Sequence, residues 1–253
     1  MSYFNRFPYT KYDFLNNGKQ STIPNIFRQI KIVNKRFDSI AVYEKYTIQE
    51  ERPDQLSYKL YDTTDFYWTF FIVNEGLRNA MNGWPLSSLA LENYIDTTYP
   101  NFTITPYREI SDDSDYNSIA GKFPIGSTIT GATSGATGTI VKRNSNLNQL
   151  TFEYDEGSAS FLDNEAITGE DSNGVFYYIN DKHDVRQEKY SPHHYEDSSG
   201  TTFSNYLNTR QTGTIVTYAD YENTVNDNKR EIKVIRSQYI EEFAITFRRL
   251  INE

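Results

Sequence analysis

The stretch Tyr46–Asn74, YTIQEERPDQLSYKLYDTTDFYWTFFIVN, decides the fold class. Its approach is extended: Ala41, Tyr43, Lys45 and Thr47 alternate with Val42, Glu44, Tyr46 and Ile48, a period of two built from β-branched and aromatic residues that predicts a strand. Arg52-Pro53-Asp54 stops that strand and opens a helix, because proline lacks the amide that a first helical turn would leave unbonded. Leu56, Leu60 and Tyr61 give this short helix one apolar edge. Asp62-Thr63-Thr64-Asp65 separates it from a second helix, with Thr64 as the expected cap. In that second helix Phe66, Trp68, Phe70, Phe71, Ile72 and Val73 leave almost no polar face, which predicts burial. Asn74-Glu75-Gly76 offers residues that tolerate a left-handed stop. After Trp84-Pro85-Leu86-Ser87, the series Leu89, Leu91, Tyr94 and Ile95 predicts a third helix capped by Ser87 or Ser88.

Working outward, residues 1–40 are aromatic and irregular, with a turn at Asn16-Asn17-Gly18 and a break at Pro24, and are expected to form an extended arm. The series Ile26, Phe27, Ile30, Ile32 and Val33 fits helix and strand equally. On the far side, Gly213–Thr217 and Glu231–Arg236 predict strands, Asn223–Arg230 a polar turn, and Tyr239–Ile251 an amphipathic helix capped by Ser237. Its apolar side carries Ile240, Phe243, Ala244, Phe247, Leu250 and Ile251.

The middle differs in texture. Phe123…Ile129-Thr130-Gly131…Ser134-Gly135 returns as Phe161…Ile167-Thr168-Gly169…Ser172, with the next glycine, Gly174, one residue later. Thr139-Ile140-Val141 and Leu150–Tyr154 lie between the copies, around an Asn144-Ser145-Asn146 turn. Short β-branched strands punctuated by Gly and Ser predict a small all-β barrel or sandwich, inserted because mixed texture resumes on both sides. The fold class is α+β. The expected divisions are an arm (1–40), a βα-turn-α core (41–116), the β-module (117–178) and a strand–helix region (179–253).

The same residues exclude most chemistry. With no cysteine, disulfides, thiolate nucleophiles, iron–sulfur clusters and cysteine zinc sites are out. A formal charge of −9 argues against a nucleic-acid partner, which needs a basic face to displace counterions. No apolar run is long enough to cross a membrane, and the first residues lack a secretory signal pattern. His193 and His194 are adjacent, with Glu196 close and His183 upstream, but neighbouring side chains diverge in regular structure and seldom share an ion. Gly131–Gly138 is glycine-rich yet lacks the lysine of a phosphate loop, and Ser134 and Ser172 sit outside any Gly-x-Ser-x-Gly elbow. Acidic pairs such as Glu50-Glu51, Asp112-Asp113 and Glu241-Glu242 are sequential rather than set across a cleft. No catalytic, cofactor-binding or metal residues are therefore expected, and the chain is not expected to be an enzyme. The 21 tyrosines carry rings that tolerate water, so they suit either the rim of a core or a surface buried against partners.

The zone Tyr46–Asn74 resembles a LysM module, whose equivalents here are Asp54, Leu56, Leu60, Tyr61, Trp68, Phe71 and Asn74, with Pro53 and Gln55 replacing the usual glycine and threonine. The wider chain resembles the LysM-containing baseplate wedge subunits of T-even-type contractile-tailed phages. The residues that carry this are Tyr3-Phe4-Asn5-Arg6-Phe7-Pro8 with Tyr12, Ile26-Phe27-Arg28, Arg52 through Asn74-Glu75, Trp84-Pro85-Leu86, His194-Tyr195-Glu196 and Asn226–Ile235. The repeat module resembles Thr/Gly-rich β-insertions of marine phage tail proteins. The resemblance implies a virion protein of the inner baseplate, assembled in the host cytoplasm. It would clamp neighbouring wedges near the hub, in six copies or a multiple of six, without cofactor, nucleic acid or membrane. Tyr3, Phe4, Phe7, Tyr12, Trp84, Tyr195, Phe243 and Phe247 are the expected partner-facing residues. The alternative is a LysM-type protein that binds N-acetylglucosamine polymers of the cell wall.

Overall fold

The computed structural model describes residues 6–25, 40–77, 80–106, 123–170, 173–174, 176–180, 182–202 and 213–253. In chain order its strands and α-helices are β1 (Tyr9–Tyr12), β2 (Ser21–Pro24), β3 (Tyr43–Thr47), α1 (Pro53–Tyr61), α2 (Trp68–Val73), α3 (Ser88–Thr98), β4 (Phe102–Pro106), β5 (Thr128–Gly131), β6 (Thr137–Asn144) and β7 (Gln149–Tyr154). There follow β8 (Ile167–Glu170), β9 (Phe176–Ile179), β10 (His183–Gln187), β11 (Pro192–Glu196), β12 (Thr214–Thr217), α4 (Tyr218–Asn228), β13 (Glu231–Ile235) and α5 (Ser237–Asn252). Two compact units result: Met1–Ser88 with Val225–Glu253, and Leu89–Thr224.

The first unit is closed by a strand from the far end of the chain. β3 pairs antiparallel with β13, from Tyr43 opposite Ile235 to Thr47 opposite Glu231. α1 forms where the sequence predicts it. Pro53 opens α1, the Gln55 side chain accepts from the Arg52 amide at 3.0 Å, and Asp62 takes the left-handed conformation (φ 57°) that ends the helix. Buried Ser57 then donates to the Thr63 carbonyl and accepts from the Phe66 amide, fixing the turn toward α2. That turn is a 3-10 segment, Thr64–Phe66, capped by Thr63 rather than Thr64. Asn74, after α2, is extended (φ −116°) rather than left-handed, because its side chain is engaged elsewhere, as described below.

On α5, Ile240, Phe243, Ala244, Phe247 and Ile251 form one buried seam with Trp68, Val42 and Phe7. The helix begins at Ser237, so Arg236 and not Ser237 occupies the cap position. A second cluster joins Ile48, Leu56, Phe70, Leu77 and Trp84 to Ile232 and Val234 of β13. The expected arm is instead a hairpin over its described part: β1 pairs with β2 from Tyr9 opposite Pro24 to Tyr12 opposite Ser21. The predicted turn closes it, as the Asp13 carboxylate accepts from the amides of Leu15, Asn17 and Gly18. The ambiguous series Ile26–Val33 lies outside the described residues.

The second unit is built on a seven-stranded antiparallel sheet in the order β10-β4-β7-β6-β5-β8-β9, with β11 and β12 paired as a separate two-stranded sheet. The larger sheet draws in β4 and β10 from either side of the 117–178 stretch, so it is wider than the expected module. Side chains from Ile104 on β4 to Ile179 on β9 share a single core with Phe123, Ile140, Phe152 and Phe161, so the sheet curls about one interior. The two copies of the repeat pair with each other. Ile129 lies opposite Gly169 and Gly131 opposite Ile167, a local two-fold relation between β5 and β8. A Cβ built on Gly169 would stand 2.5 Å from the fully buried Phe123 ring, which leaves room only for glycine at this position. Gly169→Ala should therefore destabilise this unit by about 1–3 kcal/mol, read from the urea midpoint.

The expected polar turn at Asn223–Arg230 is corrected: these residues lie mostly in α4. A Thr217–Asp220 reciprocal cap starts that helix, with Thr217 Oγ1 donating to the carboxylate at 2.6 Å and accepting the Asp220 amide at 3.1 Å.

Candidate functional site

The residues of the LysM resemblance converge in the first unit as a packing and bonding set. Leu56 is fully buried, and Leu60 packs on the same cluster. Trp68 is 2 % exposed; its ring lies 4.6 Å from that of Phe247 and 6.2 Å from that of Phe243, and its indole N–H donates to the Asp65 carbonyl. The Arg6 guanidinium sits 5.0 Å from the same ring. Tyr61 stacks on Phe70 and donates its hydroxyl to the Ile235 carbonyl at 2.8 Å, and burial pushes its phenol well above the ordinary range. Phe71 packs on Trp84 at 5.6 Å. Asn74 donates to the carbonyls of Phe70 and Lys233 and accepts the Lys233 amide, all three bonds at 2.8 Å. Its carboxamide thus substitutes for a strand neighbour on β13 and joins that strand to the end of α2. Asn74→Ala should cost about 2 kcal/mol, since it strands backbone groups on two elements; hydrogen exchange at the Lys233 amide reports the loss. Asp54 pairs with exposed Arg52, at 2.9 Å.

A polar cluster locks the loop before α1. Lys59 Nζ lies 2.7 Å from Glu51 Oε1 and 2.8 Å from the Tyr46 hydroxyl, which itself donates to Glu51. Burial alone would push the Glu51 carboxyl up, but Lys59, Tyr46 and backbone amides outweigh it and hold it at about 2. The sign follows from linkage. A depressed carboxylate adds stability in full above its unfolded value, near 4.3, and loses it as pH falls toward about 2. Glu51→Gln should flatten the acid limb of the stability profile between roughly pH 4.5 and pH 2 while changing its slope little above pH 6.

The expected partner-facing residues divide sharply. Tyr3 and Phe4 lie outside the described residues. Phe7, Trp84, Phe243 and Phe247 are buried in the first unit and Tyr195 in the second. Aromatic character marked these five, but their own chain covers them, and a covered ring cannot also be a surface offered to a neighbour. Tyr12 alone of the described set stays exposed, 5.0 Å from the Phe14 ring. Around it Tyr9, Phe14 and Leu15 are 68 %, 62 % and 79 % exposed. The sequence reading passed over these three, although apolar residues flanking an Asn-Asn-Gly turn on a short hairpin were a usable signal. A lone two-stranded hairpin is marginal in water, so this apolar tip is the best candidate contact surface of the unit.

The histidines do meet, contrary to the divergence expected of neighbours. A register shift between Pro192 and His194 puts their Nδ1 atoms 2.7 Å apart, with His194 Nε2 3.0 Å from Glu196 and the His193 ring stacked on Tyr221. They bond each other, and among the described residues no group of His, Asp or Glu is placed to hold a metal ion. Nor is any described helix long and apolar enough to cross a membrane. The Gly131–Gly138 stretch runs from the end of β5 through the turn into β6, and Gly135 in the turn takes a positive φ of 66°.

Residues 1–103 match the phage family described as base plate wedge protein 53. The match spans the hairpin, the β3–α1–α2 stretch, α3 and the start of β4. It supports a structural role in a phage baseplate wedge. No curated protein matches the chain.

Proposed function

We propose that the chain is a structural subunit of the phage tail baseplate, clamping neighbouring wedges in the inner baseplate and helping assembly around the hub. The observation that carries this is the wedge-protein match over residues 1–103, the part of the chain that holds the exposed hairpin. The first unit supplies a suitable brace. β13 is bonded to β3 and, through Asn74, to α2, so chain segments far apart in sequence close one core. That β3–α1–α2–β13 arrangement supports a LysM-like reading of the unit, with the closing strand delivered late. Its site residues other than Asp54 pack or bond within the unit, in keeping with bracing.

In this reading the hairpin tip enters an apolar groove of another wedge subunit, and copies number six or a multiple of six per tail. Removing residues 1–20 would not test the contact, because it also strips buried Phe7 and the Arg6 contact on Trp68. Tyr12→Ser with Phe14→Ser and Leu15→Ser is the clean variant. It should melt with the parent yet fail to enter tails. Incorporation at parental levels, counted by quantitative mass spectrometry of purified virions, would refute the contact.

A further inference from the structure

The outer face of the sheet in the second unit carries a pattern that bracing does not use. The pairing register sets two cross-strand rows over β5, β8 and β9: Thr128 opposite Glu170 opposite Phe176, and Thr130 opposite Thr168 opposite Tyr178. Alternate residues on these strands, Ile129, Gly169 and Ile179, point into the core, so the six side chains of the rows share the outward face. Neighbours across the rows are about 5 Å apart and neighbours along a strand about 7 Å. Phe176 and Tyr178 are 52 % and 56 % exposed, two unburied rings side by side on one edge strand. Inboard, Thr128 and Thr130 are exposed, and the grid continues onto β6 through Thr139 and Thr137, with the exposed carboxylate of Glu153 opposite Thr139.

We infer that this face is a glycan-binding platform for a neutral polysaccharide. The two rings offer flat apolar surfaces for the C–H faces of sugars. The exposed Thr128 and Thr130 hydroxyls act as donor or acceptor, Thr139 Oγ1, which already donates to Asp155 at 3.2 Å, can accept, and the Glu170 carboxylate accepts, the mixed set that a polyol needs. The carboxylates Glu170 and Glu153 set the charge preference, because an anionic polymer laid across the face would meet like charge. A protein strand added at the β9 edge would be held by edge backbone groups and would leave the β5 and β6 hydroxyls untouched. Threonine and glutamate beside bare aromatics also make a wetter surface than the centre of a protein interface.

The test uses the full chain and titration calorimetry with maltoheptaose, cellohexaose and chitohexaose as neutral probes and an alginate hexamer as the anionic one. Saturable binding of at least one neutral probe and none of alginate is expected. Tyr178→Ala and Phe176→Ala should each weaken that binding about tenfold or more, while Tyr190→Ala, an exposed ring elsewhere in the unit, leaves it unchanged. Melting curves will show whether the variants stay folded. No binding of any neutral probe, or binding that survives Tyr178→Ala, overturns the inference. So does loss of a protein complex, rather than of sugar affinity, in those variants. None of the sugar-binding outcomes bears on the baseplate reading, which rests on the match over residues 1–103 and not on β5, β8 or β9.

Discussion

Trp68→Ala is expected to lower the stability of the first unit by about 3–5 kcal/mol, the cost of deleting a large buried ring that its surroundings cannot refill. The indole is 2 % exposed and lies between Arg6 and the α5 seam at Phe243 and Phe247, so the substitution opens a cavity where the hairpin, α2 and α5 meet. At about 2–4 °C per kcal/mol for a chain of this size, its transition should fall by roughly 10 °C. A melting temperature within about 2 °C of the parent would mean that the ring is not core.

The second large effect is expected at Glu165. Its carboxylate is 6 % exposed and accepts four bonds, from the amides of Thr133, Ser134 and Leu162 and from the Ser134 hydroxyl, at 2.7–3.0 Å. It thereby ties the second copy of the repeat to the turn at the end of the first. Burial pushes this carboxyl up, but those bonds outweigh it and hold it below the ordinary range. Glu165→Ala leaves three backbone donors unmatched and should cost about 3 kcal/mol or more in the second unit. Glu165→Gln should recover part of that, since one amide oxygen still accepts. Because the group is depressed when folded, its contribution is present above the unfolded value and fades as pH falls through the folded one. The parent should thus lose more stability on acidification than Glu165→Gln, measured by urea unfolding at neutral and acid pH.

Legibility in the sequence followed the strength of local signals. α1 was readable because Pro53 and the Leu56–Tyr61 edge agree, and α5 because its apolar residues keep one face over four turns. The β5–β8 pairing was foreshadowed by the repeat, though only the structure shows the copies facing each other. α4 was missed because Asp, Asn and Thr are poor helix formers, and its Thr217-x-x-Asp220 cap was the signal that could have rescued it. Two features had no local signal. The strand that closes β3 arrives after an entire second unit, and the bonds of Asn74 to Lys233 span 159 residues. The candidate site was legible in composition but not in burial. Aromatic residues marked both the core and the surface, and Phe243 or Trp84 could not be told from Tyr12 until their neighbours were placed.

The most direct measurement of the central claim is reconstitution: the purified chain is mixed with the other wedge subunits of the same tail, and the mass of what forms is determined. The account predicts a discrete complex containing this chain, lost when Tyr12, Phe14 and Leu15 become serine while the first unit still melts with the parent. A chain that elutes alone in the presence of every wedge subunit would contradict it.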